Sequence, residues 1–381
     1  MTLQYSDKIL FGFEDATTKA VPTGSVVYST CVEKNDVAET VEYKEVSCLT
    51  REGKKSIGGK RNVSGSIDFT LAEDNAFFLL KGAMGNPVVT DATASTLSGN
   101  TVYAVGDKAN HQGSYTLVCT KAGTTSNTLP TLTTADIKKI VTNGTAKFKV
   151  YSKLRVSSFT PQYNIEKMAI QVENVEIADS SRWIKQYRHF EVDKVSFNFD
   201  PEANMDISMT PVGAVPYDEQ DSGFSSFSDT STYKVIDNIE ADAFGGDIKL
   251  VQATFGGYPV RADSITIDYT NATNSKNMMN EQTRIERDRS VKGKIVCEMS
   301  KQNYENLKLR VSFPLSVVSY TALKHTSITV HLVECKPMFK DPIYEAHDKV
   351  MLEIEFDAFV DGLSCVLVAP SYLSNNVVVA P

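Results

Sequence analysis

His331 and Cys335 come nearest, in type and spacing, to a metal-binding set in this 381-residue chain. On a strand the two would point to one face, too far apart to share an ion, and no second pair supplies the four ligands of a structural zinc site. The five histidines (His111, His189, His325, His331 and His347) are otherwise isolated. The six cysteines (Cys31, Cys48, Cys119, Cys297, Cys335 and Cys365) form no C-x-x-C pair and read as buried, reduced thiols behaving as small hydrophobes. Catalysis needs a nucleophile, a base and an orienting group, yet the chain has no G-x-S-x-G, phosphate loop, H-E-x-x-H or G-x-G-x-x-G. No enzyme, cofactor or metal is expected. Sequons at Asn62, Asn143 and Asn271 are read as chance, because the N-terminus reads as carrying no secretory signal. No run of about 20 apolar residues appears. The expectation is a chain made in the cytoplasm and soluble until it assembles.

The chemistry left is charge. Two polar arms concentrate basic residues: residues 51–61, REGKKSIGGKR, and residues 271–289, NATNSKNMMNEQTRIERDR. Arg51, Lys54, Lys55, Lys60 and Arg61, with Arg284, Arg287 and Arg289, could contact phosphates or dock on an acidic surface of another copy of the chain. With 39 Lys and Arg against 47 Asp and Glu, the net charge of −8 argues against a general nucleic-acid binder. Glu281, Glu286 and Asp288 interleave the second arm and would weaken phosphate binding, so docking is favoured. Neither arm has enough apolar surface to fold on its own core, so each should reach outward to a partner.

Behind each arm lies the same pattern. Residues 63–85 read VSGSIDFTLAEDNAFFLLKGAMG, and the stretch from Val291 reads VKGKIVCEMSKQNYENLKLRV. Both give Val-x-Gly-x-Ile, then a polar start and an apolar helical stripe. Val63, Gly65, Ile67, Phe69 and Leu71 alternate with Ser64, Ser66, Asp68 and Thr70, the period of a strand with one wet face. Ala76, Phe77, Leu80, Ala83 and Met84 then fall at helical spacing, closed by Gly82 and Gly85. In the second copy Ser300 is the N-cap, with Tyr304, Leu307 and Val311 on one face. The chain reads as a duplicated unit.

Aromatic and β-branched residues recur in short runs between turn-forming clusters, which predicts a mainly β protein. Residues 41–49 should pair across the first arm with the Val63 strand, and residues 264–270 across the second arm with the Val291 strand. Two closing hairpins follow, one at residues 192–209 and one at 348–370. Residues 217–232, YDEQDSGFSSFSDTST, lack periodicity and read as the connection between units. The predicted organisation is a first domain of residues 1–98 and 151–216, a small β module at 99–150, a linker at 217–232 and a second domain at 233–381. The string Tyr103-x-x-Gly106-Asp107, then Tyr115-x-x-x-Cys119-x-x-Ala122-Gly123-Thr124, resembles a small module inserted in many phage virion proteins, which implies surface decoration and sometimes carbohydrate binding. Leu132 and Phe148 stand where such modules often have Trp. An external insert of this kind should be removable without loss of assembly.

The duplicated hairpin and helix, the start FGFED, and the DKVSFNF…MDISM and MLEIEFDAF…SCVLVAP closings together resemble the major tail tube proteins of long-tailed bacteriophages, specifically the duplicated kind. The resemblance implies two β-sandwich units, each with a flanking short helix, whose strands form the wall of a large barrel. Three chains would close a pseudo-sixfold ring, and rings would stack, through the arms, into a virion tail tube for genome ejection. The implied partners are further copies, the tape measure, tail tip and tail terminator proteins, and DNA that passes without specific binding; no membrane is involved. The duplicated chain with its own module suggests a tube without a sheath.

The period-two pattern itself assigns a wet face, which would line the channel: Ser64, Ser66, Asp68, Thr70, Ser196, Asn198, Asp206, Ser208 and Asp268. Small polar and acidic groups there offer phosphates no cations. Lys292 and Lys294 interrupt the pattern, so either that strand is offset or opposing acids neutralise them. The alternative reading is a virion decoration or adhesion protein binding host glycans through residues 99–150.

Overall fold

The computed structural model describes the chain except residues 1–4, 19, 31–33, 48–53, 74, 177–181, 201–204, 213, 222–223, 238–242, 246, 256–257, 272, 278–282, 288, 339–349 and 371–381. The fold is mainly β. In order come β1 (Tyr5–Phe13), β2 (Val26–Thr30), β3 (Lys34–Asn35), β4 (Ala38–Ser47), β5 (Lys54–Ser64), β6 (Ile67–Thr70), α1 (Ala76–Met84) and β7 (Val88–Asp91). Residues 95–152 supply β8 (Ser95–Thr96), β9 (Val102–Tyr103), β10 (Lys108–His111), β11 (Tyr115–Lys121), β12 (Gly123–Thr124), β13 (Ile140–Asn143) and β14 (Ala146–Ser152). The chain continues through β15 (Leu154–Phe159), β16 (Met168–Glu176), β17 (Arg182–Phe199), β18 (Asp206–Val212), β19 (Val215–Asp218) and β20 (Lys234–Asp237). It ends with β21 (Asp247–Phe255), β22 (Tyr258–Pro259), β23 (Ala262–Thr270), β24 (Thr273–Asn277), β25 (Thr283–Arg287), β26 (Ser290–Glu298), α2 (Lys301–Lys308), β27 (Phe313–Tyr320), β28 (Ser327–Met338), β29 (Met351–Ala358) and β30 (Leu363–Pro370).

The strands that matter most form one continuous wall in the order β3-β6-β18-β17-β23-β26-β29-β28. Period-two patterning turns Ile67, Phe69, Ile207, Val195, Phe197, Ile265, Ile267, Ile295, Ile354 and Phe356 to the buried side. Behind the wall run two outer sheets. One has the order β20-β2-β1-β16-β17-β19 and the other β21-β27-β28-β30-β15-β7. β17 and β28 are long because each serves an outer sheet with its first half and the wall with its second.

The corner in β17 falls at His189, whose φ of 64° places it in the left-handed region. Glu14 fixes that corner: its carboxylate accepts the His189 backbone N–H at 2.8 Å and contacts the ring Nδ1 at 2.8 Å. One apolar cluster, with residues from both wall and outer sheets, fills the space between. α1 is buried along its whole length, with Phe78 against Phe11 and Tyr28 and Phe77 against Phe159. α2 lies at the surface, with Asn303, Asn306 and Leu307 buried.

Several sequence expectations change in detail. The predicted strand over residues 63–71 is broken: Gly65 has φ 125°, and a Cβ there would sit 2.2 Å from the Asp36 carbonyl oxygen. Val63 and Ser64 therefore belong to the arm hairpin, and the wall strand starts at Ile67. Gly82 lies inside α1, and Gly85, with φ 98°, ends it. Val311 lies beyond α2. His331 and Cys335 do not share a face, because a bulge between the pairings Leu315↔Leu332 and Phe313↔Cys335 reverses the alternation. Cys335 is fully buried and His331 faces the other way, half-buried.

Within the stretch 217–232, the part around Ser225 and Phe227 packs on the outer sheet. Phe227 is buried with Leu10, Val27 and Ala169; its N–H donates to Gln171 Oε1 at 2.8 Å, and Gln186 Nε2 donates to the Ser225 carbonyl at 2.7 Å.

Candidate functional site: the polar face of the wall

The side of the wall opposite the core is polar, and strand register arranges it in transverse rows. One row runs Asp68, Ser208, Ser196, Asp268, Lys292, Asp357, Lys336, each directly opposite the next. The adjoining row runs Thr70, Asp206, Asn198, Thr266, Lys294, Glu355, Met338. Ser66 is half-buried just before β6, and Ser64 is exposed on the arm hairpin. Eight of the nine residues read from the sequence as the wet face thus fall on or directly beside this surface; Ser64 sits on the arm.

The two lysines that interrupt the pattern are explained by register. β26 is not offset: Lys292 stands between Asp268 and Asp357, and Lys294 Nζ lies 3.3 Å from Glu353 Oε1. Across β17 and β23, Asp268 accepts from Ser196 Oγ and pairs with Lys194 Nζ at 3.1 Å. These pairs are partly exposed, so each stabilises by well under about 1 kcal/mol and serves mainly to set register. Their main effect is to leave the lysines little free charge for a passing anion.

At the arm end of the wall, Asn271 does what sequence reading missed. Fully buried, it donates through Nδ2 to the carbonyls of Ala83 at 3.1 Å and Val192 at 2.8 Å, and its Oδ1 accepts from the Tyr269 hydroxyl at 2.6 Å. It ties β23 to α1 and β17. Its only sequence signal is an Asn directly after an alternating strand, a position that also reads as a sequon.

Both arms are antiparallel hairpins, β4 with β5 and β24 with β25. Lys54, Lys55, Lys60 and Arg61 lie on β5, and Arg284 and Arg287 on β25; Arg51 lies outside the described residues. Arg289 lies at the base of the second arm, with its guanidinium 5.6 Å over the Tyr163 ring.

Among the described residues, no group of three or more His, Cys, Asp or Glu side chains is placed to hold a metal. Cys119, Cys297, Cys335 and Cys365 are buried and free, and burial pushes the Cys297 and Cys335 thiols up to about 12. In residues 95–152, Tyr103 and Phe148 stack edge to face inside the module's own core, so neither offers a ring to an external ligand. No described helix is long and apolar enough to cross a membrane.

A mainly β chain whose conspicuous surface is a broad sheet face with paired charges and projecting hairpins is built as a structural component. The sequence model of the phage tail tube protein family matches residues 8–358, and the chain belongs to that family. It is a structural protein of the virion tail that assembles with its own copies into a tube, and it is not an enzyme. No curated protein matches the chain.

Proposed function

We propose that the chain is two copies of one tube unit, residues 1–98 with 151–216 and residues 233–381, joined by residues 217–232 and carrying residues 99–150 as an insert. Three chains close a pseudo-sixfold ring, and the stacked rings form the conduit through which the genome leaves the capsid. Support for duplication comes from the order of pairing, which recurs. β1·β16, β16·β17, β17·β18 and β6·β18 have the counterparts β21·β27, β27·β28, β28·β29 and β26·β29.

The observation that carries the ring is the seam between the halves. β17 and β23 pair from Lys194↔Thr270 to Phe199↔Ile265, so the edge of one half is covered by the next half. At the far borders, β3 and residues 336–338 of β28 have no further strand partner among the described residues. Open borders are aggregation hazards unless paired, and a neighbouring chain repeating the same seam covers both.

The polar face then lines the channel through Ser66, Asp68, Thr70, Ser196, Asn198, Asp206, Ser208 and Asp268, with Ser64 beside it on the first arm. The arms, through Arg51, Lys54, Lys55, Lys60, Arg61, Arg284, Arg287 and Arg289, register one ring on the next. The tape measure, tail tip and tail terminator proteins are the further partners. Assembly takes place in the host cytoplasm, and the tube has no sheath.

Electron microscopy of the purified protein, with the mass of the smallest ring measured in solution, tests this reading. Rings of three chains and stacked tubes are expected. Discrete single-chain particles at high concentration would overturn it.

A further inference from the structure

The segment 95–152 is fastened more firmly than a decoration requires. The strands that carry it, β7 and β15, do not pair with the N-terminal outer sheet. β15 runs along β30 over its whole length, from Leu154↔Pro370 to Phe159↔Cys365, with β7 on its other side. At the root, Asp91 on β7 pairs with Lys153 and Arg155 on the β15 side, both at 2.5 Å, and the Lys153 contact holds its carboxyl below the usual range.

A second attachment centres on His325, in the turn between β27 and β28. The Tyr151 ring of the module stacks on the His325 ring at 4.2 Å, and Lys108 Nζ of the module donates to the His325 carbonyl at 2.9 Å. From the N-terminal half, Glu73, which lies between β6 and α1, brings Oε2 to 2.9 Å from His325 Nε2. Thr321 Oγ1 lies 3.3 Å from Nδ1 and holds the ring's other side. Glu73, His325 and Tyr151 are all fully buried. Three parts of the chain that are far apart in sequence therefore meet at one imidazole. A buried polar contact of this kind is costly when incomplete, which makes it selective for a single arrangement of the three parts.

We propose that the inserted module is a clasp. Docked on His325 and rooted in β15, which itself runs along β30, it locks the two halves of one chain at a fixed angle before any neighbour is engaged, so each chain enters the ring as a preset pair. The halves of a chain already meet in the wall by β17·β23 and in the outer sheets by β2·β20 and β15·β30, and the module adds the buried contact at His325 to these three strand pairings. This deepens the ring reading above and rests on it only for its consequence in assembly.

The test uses the full-length chain, His325→Ala, His325→Gln as the conservative replacement, and a variant in which residues 95–152 are replaced by a two-residue turn. The Ala92 N–H donates to the Leu154 carbonyl at 3.1 Å, so such a turn spans the gap without strain. Below the assembly concentration, calorimetry should give one unfolding transition for the parent chain and two for His325→Ala and the deletion, with His325→Gln intermediate. The concentration needed for tube formation should rise at least tenfold in the deletion. A deletion variant that unfolds in the parent's single transition and assembles at the parent's concentration overturns the clasp. If the parent forms no tubes, the ring reading fails, while the calorimetry still decides whether the halves are coupled through the module.

Discussion

At Gly293 the backbone of β26 passes under the Phe356 ring so closely that a Cβ would lie 2.3 Å from its Cζ and 2.7 Å from the Thr266 carbonyl oxygen. The ring cannot retreat without disturbing Phe313, with which it stacks at 5.7 Å. Gly293→Ala should therefore destabilise by about 1–3 kcal/mol, as overpacking of a filled core does, and thermal unfolding of the unassembled chain measures it. An unchanged midpoint would show that the wall tolerates a side chain there. Asn271 makes the opposite case, a side chain whose removal orphans its partners. Asn271→Ala leaves the carbonyls of Ala83 and Val192 and the Tyr269 hydroxyl without their buried partner, at a cost of about 3 kcal/mol. Because those partners lie in both halves, the loss should appear as weakened coupling between them as well as a lower midpoint.

Among the elements, both helices, the pairing of residues 264–270 with the Val291 strand and the closing hairpin at residues 192–209 were legible in the sequence, since each announces itself by a change of period or a local turn. Residues 41–47 instead pair with the basic arm itself, residues 54–61, and β29 and β30 pair with β28 rather than with each other as a closing hairpin. Ser300 illustrates this: its side chain accepts the Asn303 N–H at 3.1 Å, as the capping pattern predicts. Ser300→Ala should cost about 1 kcal/mol, read as a lower unfolding midpoint without loss of assembly. The bulge after Leu332 and the break at Gly65 were not legible, because both depend on what the backbone meets from another strand. The same holds for residues 217–232. Their Ser- and Asp-rich composition reads as a connector, yet Phe227 and the Gln171–Gln186 pair hold them against the outer sheet. A single aromatic residue carried that information, and its burial depends on a surface more than 40 residues earlier in the chain. The arm hairpins are the elements whose removal should separate folding from stacking. Deleting residues 57–60 or 277–283 should leave a soluble ring that does not elongate, and tubes of normal yield would mean that the arms do not register rings.

For the whole molecule, the channel reading depends on a charge balance set by register between strands, which period-two patterning alone did not resolve for Lys292 and Lys294. In the first half the face is Ser, Thr, Asn and Asp with Lys194, which pairs with Asp268; in the second, lysines alternate with Asp268, Glu353, Glu355 and Asp357, so neither half presents an uncompensated row of cations. Double-stranded DNA binds where cations replace its condensed counterions, and the affinity falls steeply with salt. Replacing Ser196 and Ser208 by lysine puts two adjacent cations into the Asp68–Asp268 row of every chain, flanked by one acid on each side. Tubes of Ser196→Lys/Ser208→Lys protein should retain double-stranded DNA at low salt and release it as salt rises, while parent tubes retain none at either. If the parent and lysine tubes retain DNA equally, this face does not meet the genome. If the lysine protein forms normal tubes that bind DNA along their outer surface, the rows face outward, and the wall would have to be turned inside out relative to the channel.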